Sequence, residues 1–320
     1  MKPNVWISSS QVAELLAKQL VTWPLAETNY NALKTVQVKS FDMGGFVIRV
    51  QYNPSRIVSS AARTDSASIQ KRKCFLCPDN LPVEQERLPF GANYLVLTNP
   101  YPIFPQHFTI PSREHLPQSI LIHFPDFLEL VRRMDAFTVF YNGPKCGASA
   151  PDHLHFQAGI RSFMPIDDEL EPQLKRFGSL VLEEKNGVLL QLTHYLRNGF
   201  VIKAKTQPAA QSLFGKLYHA LNIVPDETEP RMNIFGHYEN GIWTITVIPR
   251  RQHRPWQYEA EGGQHLLSSP GAADIGGLFI TPLKEDFEKM NADLLRDVYE
   301  QVCFNESEIG IIAAGITENK

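Results

Sequence analysis

The chain has 320 residues, of which 43% are hydrophobic, 20% charged and 10% aromatic. That composition fits one large folded domain or two smaller ones and excludes disordered and fibrous classes. A formal charge of -3, from 31 basic and 34 acidic residues, gives no global pull toward nucleic acid or an anionic membrane, so an anionic ligand has to be met by local groups. The opening MKPNVWISSSQVAELLAKQL lacks the apolar core of a secretory signal and no stretch approaches ~18 apolar residues, so a cytoplasmic protein is expected.

Taken in order, SSSQVAELLAKQL has serines before an apolar 3–4 period and predicts a capped helix over 9–20. GGFVIRVQYN alternates, is rich in β-branched residues, and predicts a strand ending at Asn53-Pro54. Residues 55–90 read as irregular. NYLVLTNPYP and QHFTIPSREH predict two short strands, FPDFLELVRRMDAFTVFYN has helical spacing, and KCGASAPDHLHFQAGI is a loop feeding a strand. In the second half ITVIPRRQHRPWQ resembles HFTIPSREHLPQ. Aligning His115 with His253 gives an offset of 138 residues, near half the chain, with GGFVIRV and NGFVIKAKT close to the same offset, as a duplication would produce. The segment KEDFEKMNADLLRDVYEQV predicts a late helix.

Four cysteines in a reducing compartment do not make a disulfide scaffold, and Cys74 and Cys77 form a C-x-x-C pair that reads as a metal or redox site. Two thiolates suit tetrahedral zinc, which needs two more donors; His107, His115, His123, His153 and His155 are the candidates. A thioredoxin-like site is disfavoured because no βαβ pattern surrounds the pair. In Asp152-His153-Leu154-His155-Phe156-Gln157, a strand would put His153, His155 and Gln157 on one face and Leu154 and Phe156 toward a core. A histidine there can ligate metal, act as base, or attack phosphorus when a neighbour fixes its tautomer, while a glutamine offers a phosphoryl oxygen an N–H without a transferable proton.

NGPKCGASAPDHLHFQ (142–157) resembles the active-site strand of the histidine-triad superfamily, in the nucleotidyltransferase branch where glutamine replaces the third histidine. That branch includes galactose-1-phosphate uridylyltransferases, diadenosine tetraphosphate phosphorylases and GDP-hexose phosphorylases. NPSRIVSSAAR followed by CFLCPDN, the pair NPYPIFPQHFTIPSREHLPQ, and the tail GAADIGGLFITPLKEDFEKM are similar to further parts of these families, over roughly residues 45–290. Asp152 is one residue more than the usual G-x-S-x-P-H spacing, a form that the GDP-hexose phosphorylases resemble most.

The resemblance implies an α+β fold of two tandem histidine-triad-like halves, each an antiparallel sheet with flanking helices: residues 1–165 with the active strand and zinc site, and residues 166–320 as a degenerate half. It gives His155 the nucleophile's place and Gln157 the phosphate oxygen, with Asn142 and Ser149 in the loop lining the phosphates. Cys74, Cys77, His115 and His153 match the zinc ligands of the uridylyltransferases, with His107 close enough in sequence to compete with His115. The second metal site of those enzymes is not expected, because NIFGHYENGIWTITVIPRR has one histidine. The implied activity is nucleotidyl transfer or phosphorolysis on a nucleoside-diphosphate sugar or dinucleoside polyphosphate, with phosphate or a sugar phosphate as acceptor. Gln157 argues against simple hydrolysis.

Phosphate charge is expected to be met by Arg63 above all, then Arg56, Lys71 or Arg72, and in the second half Arg250, Arg251 or Arg254. His237 and His253 are expected to be structural, Trp243 and Trp256 to be core, and Cys146 to be unreactive. The alternative is a catalytically silent nucleotide- or metal-binding protein on the same scaffold. No nucleic-acid or membrane partner is expected, and the two halves can pair inside one chain, alone or supplemented by formation of a homodimer.

Overall fold

The computed structural model describes residues 6–60 and 65–318. Helices α1 (Ser9–Thr22) and α2 (Pro24–Leu33) come first; Ser8 N–H donates to Gln11 Oε1, half of the capping box that the serines predict. Strands β1 (Gln37–Asp42) and β2 (Val47–Tyr52) form a small sheet with β13 (Leu278–Thr281), which runs parallel to β2. The residues read as irregular contain short helical turns and β3 (Arg87–Phe90).

The main sheet has ten strands. The first five are β3, β4 (Tyr94–Thr98), β5 (His107–Pro111), β6 (Phe137–Asn142) and β7 (His155–Ile160), ordered β3-β4-β5-β7-β6. The second five are β8 (Gly178–Glu184), β9 (Gly187–Leu192), β10 (Gly199–Ala204), β11 (Met232–Glu239) and β12 (Ile242–Pro249). They run outward from the joint as β11-β12-β10-β9-β8, and β6 pairs antiparallel with β11. Each half inserts a helix between its third and fourth strands, α3 (Phe124–Arg133) and α4 (Gln207–Ala220). The halves are thus two antiparallel units of one topology, joined edge to edge within a single chain.

This topology corrects the repeat register. Corresponding strands begin 87 to 95 residues apart, so the 138-residue offset matches β5 to β12, which are different members of the repeat. GGFVIRV is β2 of the small sheet and has no counterpart in β10. The expected division at 165/166 falls after the first residue of the helix Pro165–Phe177 that follows β7.

FPDFLELVRRMDAFTVFYN is not one helix. Pro125 and Asp126 start α3, Arg132 and Arg133 favour its C-terminal end, and the β-branched and aromatic FTVFYN then becomes β6. Phe124, Phe127, Leu128, Leu130 and Val131 are all buried, each worth about 1.5–3 kcal/mol of apolar transfer. The predicted late helix is likewise split, into Lys284–Lys289 and Ala292–Val302.

Candidate active site

A cavity of about 430 Å³ opens over the first half of the main sheet. His155 and Gln157 line it from β7, Asn142 from the end of β6, and Gly147 and Ser149 from the loop between these strands. Period 2 along β7 sends Phe156 into the opposite core, as the alternation requires.

His155 is 3% exposed and held at both ends of its backbone. Gln118, 1% exposed, accepts the His155 N–H on Oε1 at 2.9 Å and donates from Nε2 to the carbonyls of His155 at 3.0 Å and Asn142 at 2.8 Å. Its side-chain amide pairs with the chain as another strand would. The His155 ring donates from Nδ1 to the His153 carbonyl at 2.8 Å, and because a carbonyl only accepts, Nδ1 carries the hydrogen and Nε2 the lone pair. Burial lowers the His155 pKa to about 4, so at pH 7 only roughly one ring in a thousand is protonated.

Gln157 is oriented by a relay. Ile103 N–H donates to His107 Nδ1 at 3.2 Å, so Nε2 carries the hydrogen of the neutral ring and donates to Gln157 Oε1 at 3.0 Å. The Gln157 amide N–H groups then remain for a ligand. His107 stays neutral because burial, with the Arg56 charge nearby, lowers its pKa to about 3. It serves Gln157 and stands outside the cysteine cluster.

Asn142 Oδ1 accepts from Ala272 N–H at 2.7 Å and Asn233 Nδ2 at 2.8 Å. Asn233 is in turn gripped by the buried Arg250, whose guanidinium reaches Asn233 Oδ1 at 2.6 Å and the Pro270 carbonyl at 2.9 Å. Gly147 has φ +92°, and a Cβ there would lie 2.3 Å from Gly271 Cα. Only glycine permits this approach of the two loops.

His153 does not share the His155 face. It precedes β7 and joins Cys74, Cys77 and His115 in a cluster whose ligand atoms lie within 4.8 Å of one another. Its Nε2–H donates to the Ser112 carbonyl at 2.8 Å, which turns the Nδ1 lone pair toward Cys74 Sγ at 3.2 Å and Cys77 Sγ at 3.7 Å. His115 Nδ1 is 3.2 Å from Cys77 Sγ. A tetrahedral zinc with ordinary Zn–S and Zn–N bonds has ligand atoms about 3.3–3.8 Å apart, so this Cys₂His₂ set fits one. Burial opposes ionisation of Cys74, yet the His153 hydrogen bond and neighbouring N–H groups bring its pKa down to about 6. Asp152, the additional residue of the motif, pairs with Arg72 and lies 3.7 Å from His115 Nε2, an outer support for that ligand.

The expected cations divide. Arg56 lines the cavity, donates to the Tyr101 carbonyl at 2.7 Å, and has a buried Nε without a partner among the described residues. Lys71 is exposed and outside the lining, and Arg63 lies outside the described residues. Arg72 is committed to Asp152, Arg250 to the backbone and Asn233, and Arg251 to Glu308. Arg254 and His253 do line the cavity. Trp243 is buried, Trp256 is half exposed on the surface, and burial raises the Cys146 thiol to about 12. Sequence reasoning missed Gln118 and Asn233, whose contacts join distant segments and leave no periodic trace, and Asp274, which reaches the cavity on a turn held by its own bonds to Gly271 and Ile280.

Residues 15–160 match the family described as Domain of unknown function (DUF4922). The chain is 24% identical over 250 residues to galactose-1-phosphate uridylyltransferase of Staphylococcus saprophyticus, an alignment covering 69% of this chain and 47% of that protein. The chain thus spans about half the length of the curated relative it matches. Two structures of yeast Ap4A phosphorylase, in complex with AMP and with Ap4A, superpose with TM-scores of 0.58 and 0.54 at 17% and 16% identity. Each alignment covers 94% of this chain, and 98% and 99% of those chains. In sequence and in its tandem α+β fold, the chain resembles the phosphorylase and uridylyltransferase branch of the histidine-triad superfamily.

Proposed function

We propose that the protein is a nucleotidyltransferase or phosphorylase that acts on a nucleoside-diphosphate sugar or dinucleoside polyphosphate through a nucleotidyl-histidine at His155. The observation that carries this reading is the neutral, buried His155, its Nε2 lone pair free at the cavity beside the uncommitted amide of Gln157. Nε2 attacks the α-phosphorus; the P–N bond forms, the bond to the bridging oxygen breaks, and the leaving group departs as a phosphate anion with the electron pair. The ring becomes cationic on nucleotidylation, and its Nδ1–H then donates more strongly to the His153 carbonyl. An oxygen of phosphate or a sugar phosphate attacks next, the P–N bond breaks, and neutral His155 returns.

In this reading Gln157, Asn142, Ser149 and Arg56 meet the phosphates, and Arg63 and Lys71 stay assigned to substrate on resemblance alone. Cys74, Cys77, His115 and His153 hold a structural zinc ion. Zinc bound there supplies a cross-link between the 74–77 loop and the segments flanking β7, and takes no part in the transfer. The division at 165/166, a cytoplasmic location, and action without nucleic acid or membrane belong to the same reading, as does a homodimer, to be checked by sedimentation.

The test is incubation with mass-tagged nucleoside-diphosphate sugars and dinucleoside polyphosphates, followed by peptide mapping, then chase with phosphate. A nucleotidyl adduct on His155, absent in His155→Ala and discharged by phosphate, is expected. Absence of any adduct under turnover, or an adduct retained in His155→Ala, sinks the proposal.

A further inference from the structure

The cavity has two unlike ends. Its lining crosses four neighbouring strands in sheet order: Leu97 on β4, Thr109 on β5, His155 and Gln157 on β7, and Phe140 and Asn142 on β6. His155 therefore stands between a wall on the β4 side and a wall on the β6 side. On the β4 side, Gln85 is tied to the Thr98 carbonyl at 2.9 Å, and Trp23, Leu25, Phe75 and Leu81 contribute apolar surface to the lining, as a planar base would require.

The β6-side wall comes from the chain after β12 and is joined to β6 by the Ala272 N–H on Asn142. It includes no phenylalanine, tyrosine or tryptophan among the lining residues. Three of its polar groups have capacity that the protein does not use. Ser268 is 3% exposed, and its Oγ has no hydrogen-bond partner among the described residues; a buried hydroxyl left so costs about 1–3 kcal/mol. Arg254 Nε donates to Ser269 Oγ at 3.2 Å and the guanidinium lies 3.8 Å over the Tyr258 ring, while no carboxylate pairs with it among the described residues. Ser269 is itself fixed by His253 Nε2 at 2.9 Å, so the guanidinium is held in place with its terminal N–H groups available.

Asp274 accepts Ile280 N–H on Oδ1 and Gly271 N–H on Oδ2, each at 2.8 Å, and each oxygen keeps a second lone pair. The Arg56 charge acts on Asp274 and leaves Arg56 to meet phosphate; the spare lone pairs of the carboxylate itself repel phosphate oxygens and suit hydroxyl donors of a ligand. We propose that Arg254, Ser268 and Asp274 form a subsite for a sugar phosphate, with Arg254 on the phosphate and Asp274 and Ser268 on ring hydroxyls. A second nucleoside would find no phenylalanine, tyrosine or tryptophan in this wall to stack on, Phe140 belonging to the sheet beneath it. The purpose given to the subsite rests on the nucleotidyl-transfer reading, but its occupancy is measurable without turnover.

The experiment is calorimetric titration of the full chain with glucose, galactose and mannose 1-phosphates, with inorganic phosphate, and with UMP, GMP and AMP. At least one sugar 1-phosphate is expected to bind. Arg254→Ala is expected to weaken that ligand and inorganic phosphate about tenfold each, the loss of one charge-assisted contact. Ser268→Ala and Asp274→Asn are expected to weaken the sugar phosphate about tenfold while leaving inorganic phosphate within about twofold. Nucleoside monophosphates are expected to stay within twofold in all three variants. The proposal is overturned if no sugar 1-phosphate binds the wild type, if Arg254→Ala and Ser268→Ala leave its affinity unchanged, or if they weaken the monophosphates equally. Failure to label His155 would instead remove the transfer reading and leave this binding result standing.

Discussion

Gln118→Glu isolates the grip on His155, the proposed nucleophile, with almost no change of shape. The carboxylate can still accept the His155 N–H, but an ionised oxygen would then face the carbonyls of His155 and Asn142 at the 3.0 and 2.8 Å now spanned by N–H donors. At a position 1% exposed the acid will instead keep its proton. Its folded pKa rises above the unfolded value of about 4.3, so the variant is nearest to wild type in acid and loses stability as pH rises, by about 1.4 kcal/mol per unit, until the folded pKa is reached. For a folded pKa near 8, the difference from wild type grows by about 4 kcal/mol between pH 5 and pH 8. With about 2.1 cal/mol/K per residue of unfolding entropy, that is a further Tm loss of about 6 °C for a chain of this length. Thermal melts of both proteins at pH 5, 6.5 and 8 read it directly. A Tm difference that does not widen with pH would refute the bidentate grip, because a surface glutamate would stay ionised at no cost.

Three further outcomes follow from the site. For His155 at about 4, roughly 97% of rings are neutral at pH 5.5, against about 9% for an unshifted histidine, so the adduct-forming rate should change less than twofold from pH 8 to 5.5; a fall with a midpoint near 6.5 would contradict the buried, neutral nucleophile. Elemental analysis of the purified chain should give one zinc per chain, lost in Cys74→Ser together with about 3 kcal/mol or more of stability; a metal-free wild type with a titratable dithiol would overturn the assignment. Gly147→Ala should cost at least about 2 kcal/mol and most of the labelling, whereas Gly241→Ala, with φ +78° but nothing within 4 Å of its Cβ, should cost about 1 kcal/mol and leave labelling intact. Melts and adduct yields on the pair separate loop approach from left-handed backbone alone.

What the sequence made legible was local. Two-residue alternation placed His155 and Gln157 on one face because both lie inside β7, and failed at His153 because that residue precedes the strand. The apolar run from Phe124 to Asn142 concealed a change from helical to strand period at Met134–Ala136. The Ile-Pro-basic-His likeness was chemical rather than topological: one copy leads from β5 to His115 at the cysteines, the other from β12 to His253 at the cavity. Gln118 was invisible because its significance lies in contacts with residues tens of positions away, the Asn142 and His155 carbonyls; the Asp274 carboxylate bonds to its near neighbours Gly271 and Ile280, and what the sequence hid was that their turn lines the cavity.

The second half repeats the topology of the first without its chemistry, since β12, reading IWTITVIP, has neither histidine nor glutamine. Its retention still follows from the geometry. Without β11, β6 would be an open edge ending at Asn142, the residue that leads into the 143–149 loop of the cavity, and an unpaired edge is mobile and prone to wrong pairing. β11 closes that edge, and Asn233 on it fixes the Asn142 side chain while Arg250, leaving β12, holds both Asn233 and the Pro270 carbonyl. The same buried arginine thus sets the strand that carries Asn142 and the segment that forms the far wall of the cavity. Under the proposed mechanism a half without a reacting strand remains indispensable, because it supplies the edge, the anchor and the wall around the His155 site.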